Sequence, residues 1–321
     1  MKVGIFGAGA YALALSNILN DNHSEITIWT EFEEEKEILV RTRSNPIKLP
    51  NFLLGNQVIV TTSIEEAINE KDLLILAVPA QFLNSVCLKM EPFIDNHCIL
   101  IASKGIDTKN LLFMEEIVSR CFKTDHIAVL SGPTFAKDIL SRKKMGLSVA
   151  YKTDEVKDTV SRFFMNDYID LDFTTDIMGV ELCGSLKNIY AILMGILEGL
   201  SCNESTKAMF MTKIAKEIEK ILESFSCNKE TILSYAGIGD LLLTCTSISS
   251  RNYSFGVLLG QGVEKTQISE YLAQNTVEGV YTLEAITSMV SKSNSCYILI
   301  DTLRKIISYE CAASILLTLS F

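Results

Sequence analysis

The sequence predicts an α/β fold: an N-terminal doubly wound parallel sheet followed by a C-terminal all-helical domain. Three observations carry this. Short apolar runs alternate with helix-like segments through the first half of the chain, the mark of strand–helix units in a parallel sheet. All five prolines (Pro46, Pro50, Pro79, Pro92 and Pro133) fall at or before residue 133. Proline marks turns and strand ends and is excluded from helix interiors, so the chain passes from loop-punctuated to continuously helical. From about Ile177 onward the pattern is amphipathic or wholly apolar helix. The expected division is 1–176 and 177–321, and the 321 residues, 48% of them hydrophobic, suffice for two cores.

The expected strands are KVGIF, EITIW, QVIVT, LLILAVP, CILIAS and HIAVLSG, each an unbroken apolar run of the kind buried on both faces. GLSVAY and IDLDF add two more near residues 146–151 and 169–173. No internal repeat and no low-complexity linker interrupts them. A packed junction is expected near residues 174–180, and such junctions often hold ligands.

Between the first strand and its helix, GIFGAGAYALALS reads Gly7-x-Gly9-x-x-Ala12. Gly7 permits the tight turn, Gly9 lets the backbone approach a pyrophosphate, and Ala12 is small enough for the helix to pack on the sheet. An anion there meets the positive end of the helix. Glycine spacings of this kind arise by chance; strand before, helix after and a second strand at EITIW make this a Rossmann-like dinucleotide turn. The second strand runs into TEFEEE, where Glu31 or a near neighbour can hold the ribose hydroxyls and repel a 2′-phosphate, favouring NAD over NADP. A solvated, acid-rich helix start explains the same residues equally well.

The formal net charge of −10 argues against a nucleic-acid binder, which needs a broad basic face. The nine cysteines form no CxxC pair, so neither a metal site nor a disulfide framework is indicated, and they read as buried thiols in a reducing cytoplasm. A strand at residues 2–6 leaves no room for a signal peptide, and apolar runs such as IYAILMGIL read as too short to span a bilayer.

In VELCGSLKNIYAILMGILEGL, Lys187 stands among small and apolar neighbours with no acidic residue one turn away. A lysine can snorkel from such a helix. If it is buried, its pKa falls and it becomes a plausible general acid. In AGIGDLLLTCTSISSRN, Asp240 is set among apolar residues and needs a cation, so the two are candidates for one site; a helix cap at Asp240 is the structural alternative. The three histidines, His23, His97 and His126, sit at strand starts or in a polar loop, unlike hydride-transfer acid/bases.

At this point the chain resembles the soluble NAD(P)-dependent glycerol-3-phosphate dehydrogenases of bacteria. GAGAYALALS, AVPAQFL, ASKGI, SGPTFAKDI, LCGSLKN, GIGDLLLTCTSISSRNYSFG, LLGQG and TVEG carry the resemblance in the family's order. It implies interconversion of dihydroxyacetone phosphate and sn-glycerol 3-phosphate for phospholipid synthesis. It implies that Lys187 is the catalytic lysine, that Asn188, Asp240 and Thr244 surround the glycerol hydroxyls, and that Ser250, Arg251 and Asn252 form the phosphate end. Lys104 is implied near nicotinamide and substrate and, with Asp240, as a catalytic residue beside Lys187; Gly132 and Thr134 are implied at the border of the substrate. Ala10, Tyr11, Ala136, Glu278 and Arg251 are implied at the cofactor. A homodimer is left open.

Departures occur at Ala12 and Leu13, at Ser201, Asn203 and Ser205 of SCNESTK, and at Lys213, where the family usually carries other residues; Lys207 keeps a basic position. The segment from Cys296 to the end matches loosely. A ketopantoate-type reductase shares the two-domain plan and a catalytic lysine but does not need TSISSRN. A redox-sensing NAD-binding protein would keep the glycine turn yet could lose Lys187 and Asp240.

Overall fold

The computed structural model describes residues 1–290 and 297–320; Cys296, at the head of the loosely matching segment, lies outside the described residues. The chain divides into two compact units, Met1–Lys104 with Leu112–Ile177, and Gly105–Leu111 with Met178–Phe321.

The first unit is built on strands β1 (Lys2–Phe6), β2 (Glu25–Trp29), β3 (Ile59–Thr61), β4 (Leu73–Leu76), β5 (Cys98–Ile101), β6 (Ile127–Ser131), β7 (Met145–Tyr151) and β8 (Ile169–Thr174). They form one sheet in the order β8-β7-β6-β5-β4-β1-β2-β3. Every apolar run expected to be a strand is one. LLILAVP pairs only to Leu76, because Pro79 begins the turn into the next helix. Helices α1 (Ala10–Asp21), α2 (Glu33–Thr42), α3 (Ile64–Ile68), α4 (Ala80–Met90), α5 (Met114–Phe122), α6 (Ala136–Ile139) and α7 (Asp154–Phe164) lie between the strands.

The sheet departs from the expected all-parallel form at one place. β7 pairs antiparallel with β6, while β8 runs parallel to β7. The connection between β6 and β7 contains only the single turn α6. A parallel return needs a crossover over the sheet face, and so short a helix does not cover it. α7 does cover it, burying Val156, Val160, Phe163 and Phe164, and this crossover sets β8 parallel to β7.

The second unit contains α8 (Ile177–Gly199), α9 (Glu204–Ser224), α10 (Asp240–Cys245), α11 (Arg251–Gln261), α12 (Lys265–Gln274), α13 (Glu278–Val290) and α14 (Ile298–Ile307). IYAILMGIL is part of α8, whose 23 residues are long and apolar enough to cross a membrane, which corrects the expectation that the run is too short. Its most apolar stretch is 94% buried in the protein, as befits a central core helix.

α8 and α11 meet backbone to backbone. A Cβ on Gly195 would lie 2.0 Å from the Tyr253 carbonyl oxygen, and one on Gly256 would lie 2.0 Å from that of Ile192. Gly260 stands in the same relation to Ile196, at 2.2 Å. This glycine seam holds the first turn of α11 against the residues after Lys187 on α8. A second buried tie joins three helices. The Glu217 carboxylate on α9 accepts from the Tyr190 hydroxyl at 3.1 Å and from the amides of Leu299 and Ile300 at 3.0 Å each, at the start of α14. Burial pushes the Glu217 carboxyl above its ordinary range despite these donors.

Candidate functional site

In the first unit the predicted residues gather at the carboxyl ends of the strands, where open α/β sheets take their ligands. Gly7 follows β1 with φ 113°, and a Cβ there would meet the Ala77 carbonyl oxygen at 2.9 Å, so the position requires glycine. Gly9 differs: nothing lies within 4 Å of where its Cβ would be. It is also the N-cap of α1, which has no side-chain cap and no acidic residue in its first turn. An uncapped helix start beneath open space fits a pyrophosphate. Ala12 and Leu13, both departures from the family pattern, are fully buried in the core below.

Tyr11, on the first turn of α1, shares a hydrogen bond with Thr134 after β6, at 3.3 Å between oxygens. The Lys104 ammonium, after β5, lies 5.9 Å from the centre of the Tyr11 ring. The Thr134 amide donates to the Gly132 carbonyl at 2.9 Å, and Ala136 opens α6 next to them. Tyr11, Lys104, Gly132 and Thr134 are therefore neighbours although they come from three strand ends. Glu31 stands just beyond β2, about half exposed, and accepts from Lys89 at 2.7 and 2.8 Å.

Gly9→Thr should separate the fold from the site. Threonine caps a helix about as well as glycine, so the unliganded protein should change stability by less than about 0.5 kcal/mol. Its side chain enters the open space above the turn, so dinucleotide affinity should fall roughly 30-fold, the effect of about 2 kcal/mol of overpacking. Calorimetric titration with NADH beside a thermal melt checks both.

In the second unit the lone lysine and the lone aspartate meet. The Lys187 ammonium donates to Asp240 Oδ1 at 2.6 Å; the lysine side chain is 12% exposed and the aspartate 1%. Asp240 does not cap α10. It lies inside the helix with φ −71° and ψ −31°, behind a π-type turn at Tyr235–Gly239. Thr244 donates to the Asp240 backbone carbonyl at 2.7 Å, with its hydroxyl 3.4 Å from Oδ1. Cys245 is buried beside the pair, and burial pushes its thiol far above the ordinary range, so it stays protonated.

One turn of amides adjoins this pair. Asn188 donates to Glu278 at 3.1 Å and accepts from Asn252 at 2.9 Å; Asn252 in turn accepts from the Gly279 amide at 2.8 Å. The resemblance spreads these residues over hydroxyls, phosphate and cofactor. The structure joins them in one network that ties α8, α11 and α13 together. Ser250 is likewise engaged, its hydroxyl accepting from the Tyr253 amide as the N-cap of α11. Arg251, the first residue of α11, is exposed and forms no salt bridge among the described residues.

Two of the three SCNESTK departures, Ser201 and Asn203, have local explanations. Ser201 has φ 57°, a left-handed turn that glycine adopts without strain. Asn203 caps α9 by accepting from the Thr206 amide at 2.9 Å. Lys207 is held by Glu198 and Glu204, which raise its pKa and occupy it as an alternative anion site. Sequence reasoning missed Glu217, whose KEIEKIL context reads as a solvated helix face, and the glycine seam, whose i,i+4 spacing on both helices was the available signal.

Two family models match the chain. The N-terminal model of NAD-dependent glycerol-3-phosphate dehydrogenase matches residues 2–157, and its C-terminal counterpart matches residues 176–317. A glycerol-3-phosphate dehydrogenase [NAD(P)+] from Agathobacter rectalis is 34% identical over 292 residues, covering 91% of this chain and 87% of the relative. One from Teredinibacter turnerae is 33% identical, covering 89% and 84%. A crystal structure of glycerol-3-phosphate dehydrogenase from Coxiella burnetii aligns with TM-score 0.90 at 26% identity over 98% of this chain and 96% of that one. With both halves matched in order and more than 30% identity to full-length relatives, this chain belongs to the NAD-dependent glycerol-3-phosphate dehydrogenase family.

Proposed function

We propose that the chain interconverts dihydroxyacetone phosphate and sn-glycerol 3-phosphate, supplying glycerol 3-phosphate for phospholipid synthesis, with Lys187 as its acid/base. The observation that carries the reading is the buried 2.6 Å pair of Lys187 and Asp240. A bound nicotinamide supplies or accepts the hydride at the central carbon. Lys187 gives a proton to the oxygen on that carbon during reduction and takes it back in the reverse direction. Its ammonium also faces the negative charge that develops on that oxygen, inside a site that excludes most water. Asp240 aims the ammonium, and Thr244 steadies the helix turn that carries Asp240. Asn188, braced by Asn252 and Glu278, presents an amide next to Lys187. Arg251, with Ser250, takes the phosphate; the guanidinium donates charge-assisted bonds and fixes the substrate at the end remote from the reacting carbon.

Gly7, Gly9, Ala10, Tyr11 and Ala136 hold the dinucleotide, with Lys104 as its cation; Glu278 and Arg251 are further cofactor residues that the family implies. Lys104, Gly132 and Thr134 are further substrate-binding residues that the family implies. The protein acts in the cytoplasm, where its nicotinamide substrates are and where thiols stay reduced.

NADH is the preferred cofactor, because Glu31 stands where a 2′-phosphate would be repelled. Lys89 partly offsets that charge. The preference should therefore be modest, about tenfold in kcat/KM, or about 1.4 kcal/mol. Glu31→Ala should narrow it. An unmodified enzyme that favours NADPH would remove the ribose role of Glu31.

One assay tests the whole reading: NADH oxidation with dihydroxyacetone phosphate, beside unphosphorylated dihydroxyacetone and ketopantoate. Turnover confined to the phosphorylated ketone is expected. Turnover of ketopantoate at a comparable kcat/KM would overturn it.

A further inference from the structure

The polar row that includes Asn188, next to Lys187 in the chain, has a single direction. An amide side chain has a donor end and an acceptor end of nearly equal size, so its neighbours decide which way it faces. Here a backbone group decides. The Gly279 amide can only donate, so the Asn252 atom that meets it at 2.8 Å is the oxygen. Asn252 then donates from its NH2 group to Asn188 at 2.9 Å, which fixes the Asn188 oxygen on that side. The Asn188 NH2 group is left to donate to Glu278 Oε2 at 3.1 Å. Turning Asn188 over would set its oxygen against the Glu278 carboxylate and its NH2 group against that of Asn252. Asn188 and Asn252 are 5% and 7% exposed, so water does little to relieve either clash.

We propose, building on the reaction given above, that Asn252 is a positioning residue. It acts on the substrate through Asn188, locking that amide so that one N–H is held for the oxygen on the reacting carbon, and not by holding the phosphate. Gly279 lies in the first turn of α13, where amides have no partner within the helix, and Asn252 satisfies one of them from α11. A Cβ on Gly279 would lie 2.5 Å from the Asn188 carbonyl oxygen, so glycine is what lets the start of α13 come this close to α8. Both ends of the Asn252 amide are thus engaged inside the protein. The neighbouring Arg251 is exposed and carries a full charge, so the phosphate has a better partner than a buried amide.

The lock matters because the oxygen on the reacting carbon gains negative charge as hydride arrives. A donor already turned toward it helps more in the transition state than in the ground state. An Asn188 free to turn would spend time with its own oxygen forward, opposing that charge. Loss of Asn252 should therefore appear in kcat, and equally on ketones with and without a phosphate.

The test measures kcat and KM with NADH on dihydroxyacetone phosphate and on unphosphorylated dihydroxyacetone, and follows hydrogen exchange of the Gly279 amide by NMR. Asn252→Ala removes both bonds. It should lower kcat roughly 10- to 100-fold on both ketones, up to the scale of losing one fixed donor to a developing oxyanion. The KM for dihydroxyacetone phosphate should change by less than about threefold, and the Gly279 amide should exchange faster. Asn252→Asp is the same size and keeps an oxygen for the Gly279 amide, so that exchange should stay slow. It sets an acceptor where Asn188 needs a donor, so kcat on dihydroxyacetone should fall as far as in the alanine variant. It carries the kinetic test even if Asn252→Ala fails to fold. A loss in Asn252→Ala confined to the KM for dihydroxyacetone phosphate would make Asn252 a phosphate ligand. Full activity in Asn252→Asp would make it a helix tie alone, and fast Gly279 exchange in the unmodified protein would mean that the row does not form. Each of these results would overturn the proposal. Failure of the reaction itself would show separately, in the unmodified enzyme, as no turnover of dihydroxyacetone phosphate.

Discussion

Lys187→Arg will lower kcat by roughly two to four orders of magnitude while the protein stays folded and still binds NADH. Arginine keeps the positive charge opposite Asp240, so the buried carboxylate is not left alone. It does not release its proton at working pH, so the acid is lost. Lys187→Ala should abolish turnover to the same degree, but it is the less clean variant. It leaves Asp240, 1% exposed, without its cation. Breaking a buried pair by removing one partner costs about 3–5 kcal/mol, so the alanine protein should melt well below the parent. The double change Lys187→Met with Asp240→Leu replaces both charges with apolar groups of similar length. It should regain most of that stability and remain inactive. Turnover that follows stability through these three variants would mean that the pair is structural. Turnover near the parent level in Lys187→Arg would mean that lysine is not the acid.

The eight strands were legible because buried parallel strands are unbroken apolar runs, and no helical period competes within five or six residues. Their direction was not legible. GLSVAY carries the same residues whether it pairs parallel or antiparallel, and the length of the connection before it decides the matter. Lys187 and Asp240 could be matched because each was a charge without a local partner, and a buried charge requires one. Asn188, Asn252 and Glu278 could not. The two amides need no charge partner, and their network with Glu278 depends on α8 and α11 meeting at Gly195 and Gly256, a contact between residues far apart in the chain. Glu217 was hidden for the opposite reason. It sits in an amphipathic helix rich in charge, and only the start of α14, supplying two amides, makes it a core residue.

Asp240→Asn will lower kcat by about 100-fold, the scale of losing one oriented charge in a catalytic pair, and will lower stability by only about 1–2 kcal/mol. Asparagine is the same size and keeps an oxygen that can accept from the Lys187 ammonium. Lys187 is also 12% exposed, so water can solvate part of it when the opposing charge goes. A capping role predicts no such loss, and the geometry removes that role: Gly239 is the N-cap of α10, Asp240 has helical φ and ψ, and its Oδ1 accepts from Lys187. Arg251→Ala should fail in another way. Arg251 is exposed at the start of α11, so its removal costs little packing. A lost charge-assisted hydrogen bond to phosphate amounts to about 1.5–3 kcal/mol, which should raise the KM for dihydroxyacetone phosphate roughly 10- to 100-fold. The slow reaction with unphosphorylated dihydroxyacetone should hardly change, because that substrate has no phosphate to hold. Measured side by side, the aspartate variant loses kcat on both substrates and the arginine variant loses KM on one. Equal losses on both substrates in Arg251→Ala would move the phosphate elsewhere, and Lys104 would be the next residue to test, since Lys207 is committed to Glu198 and Glu204.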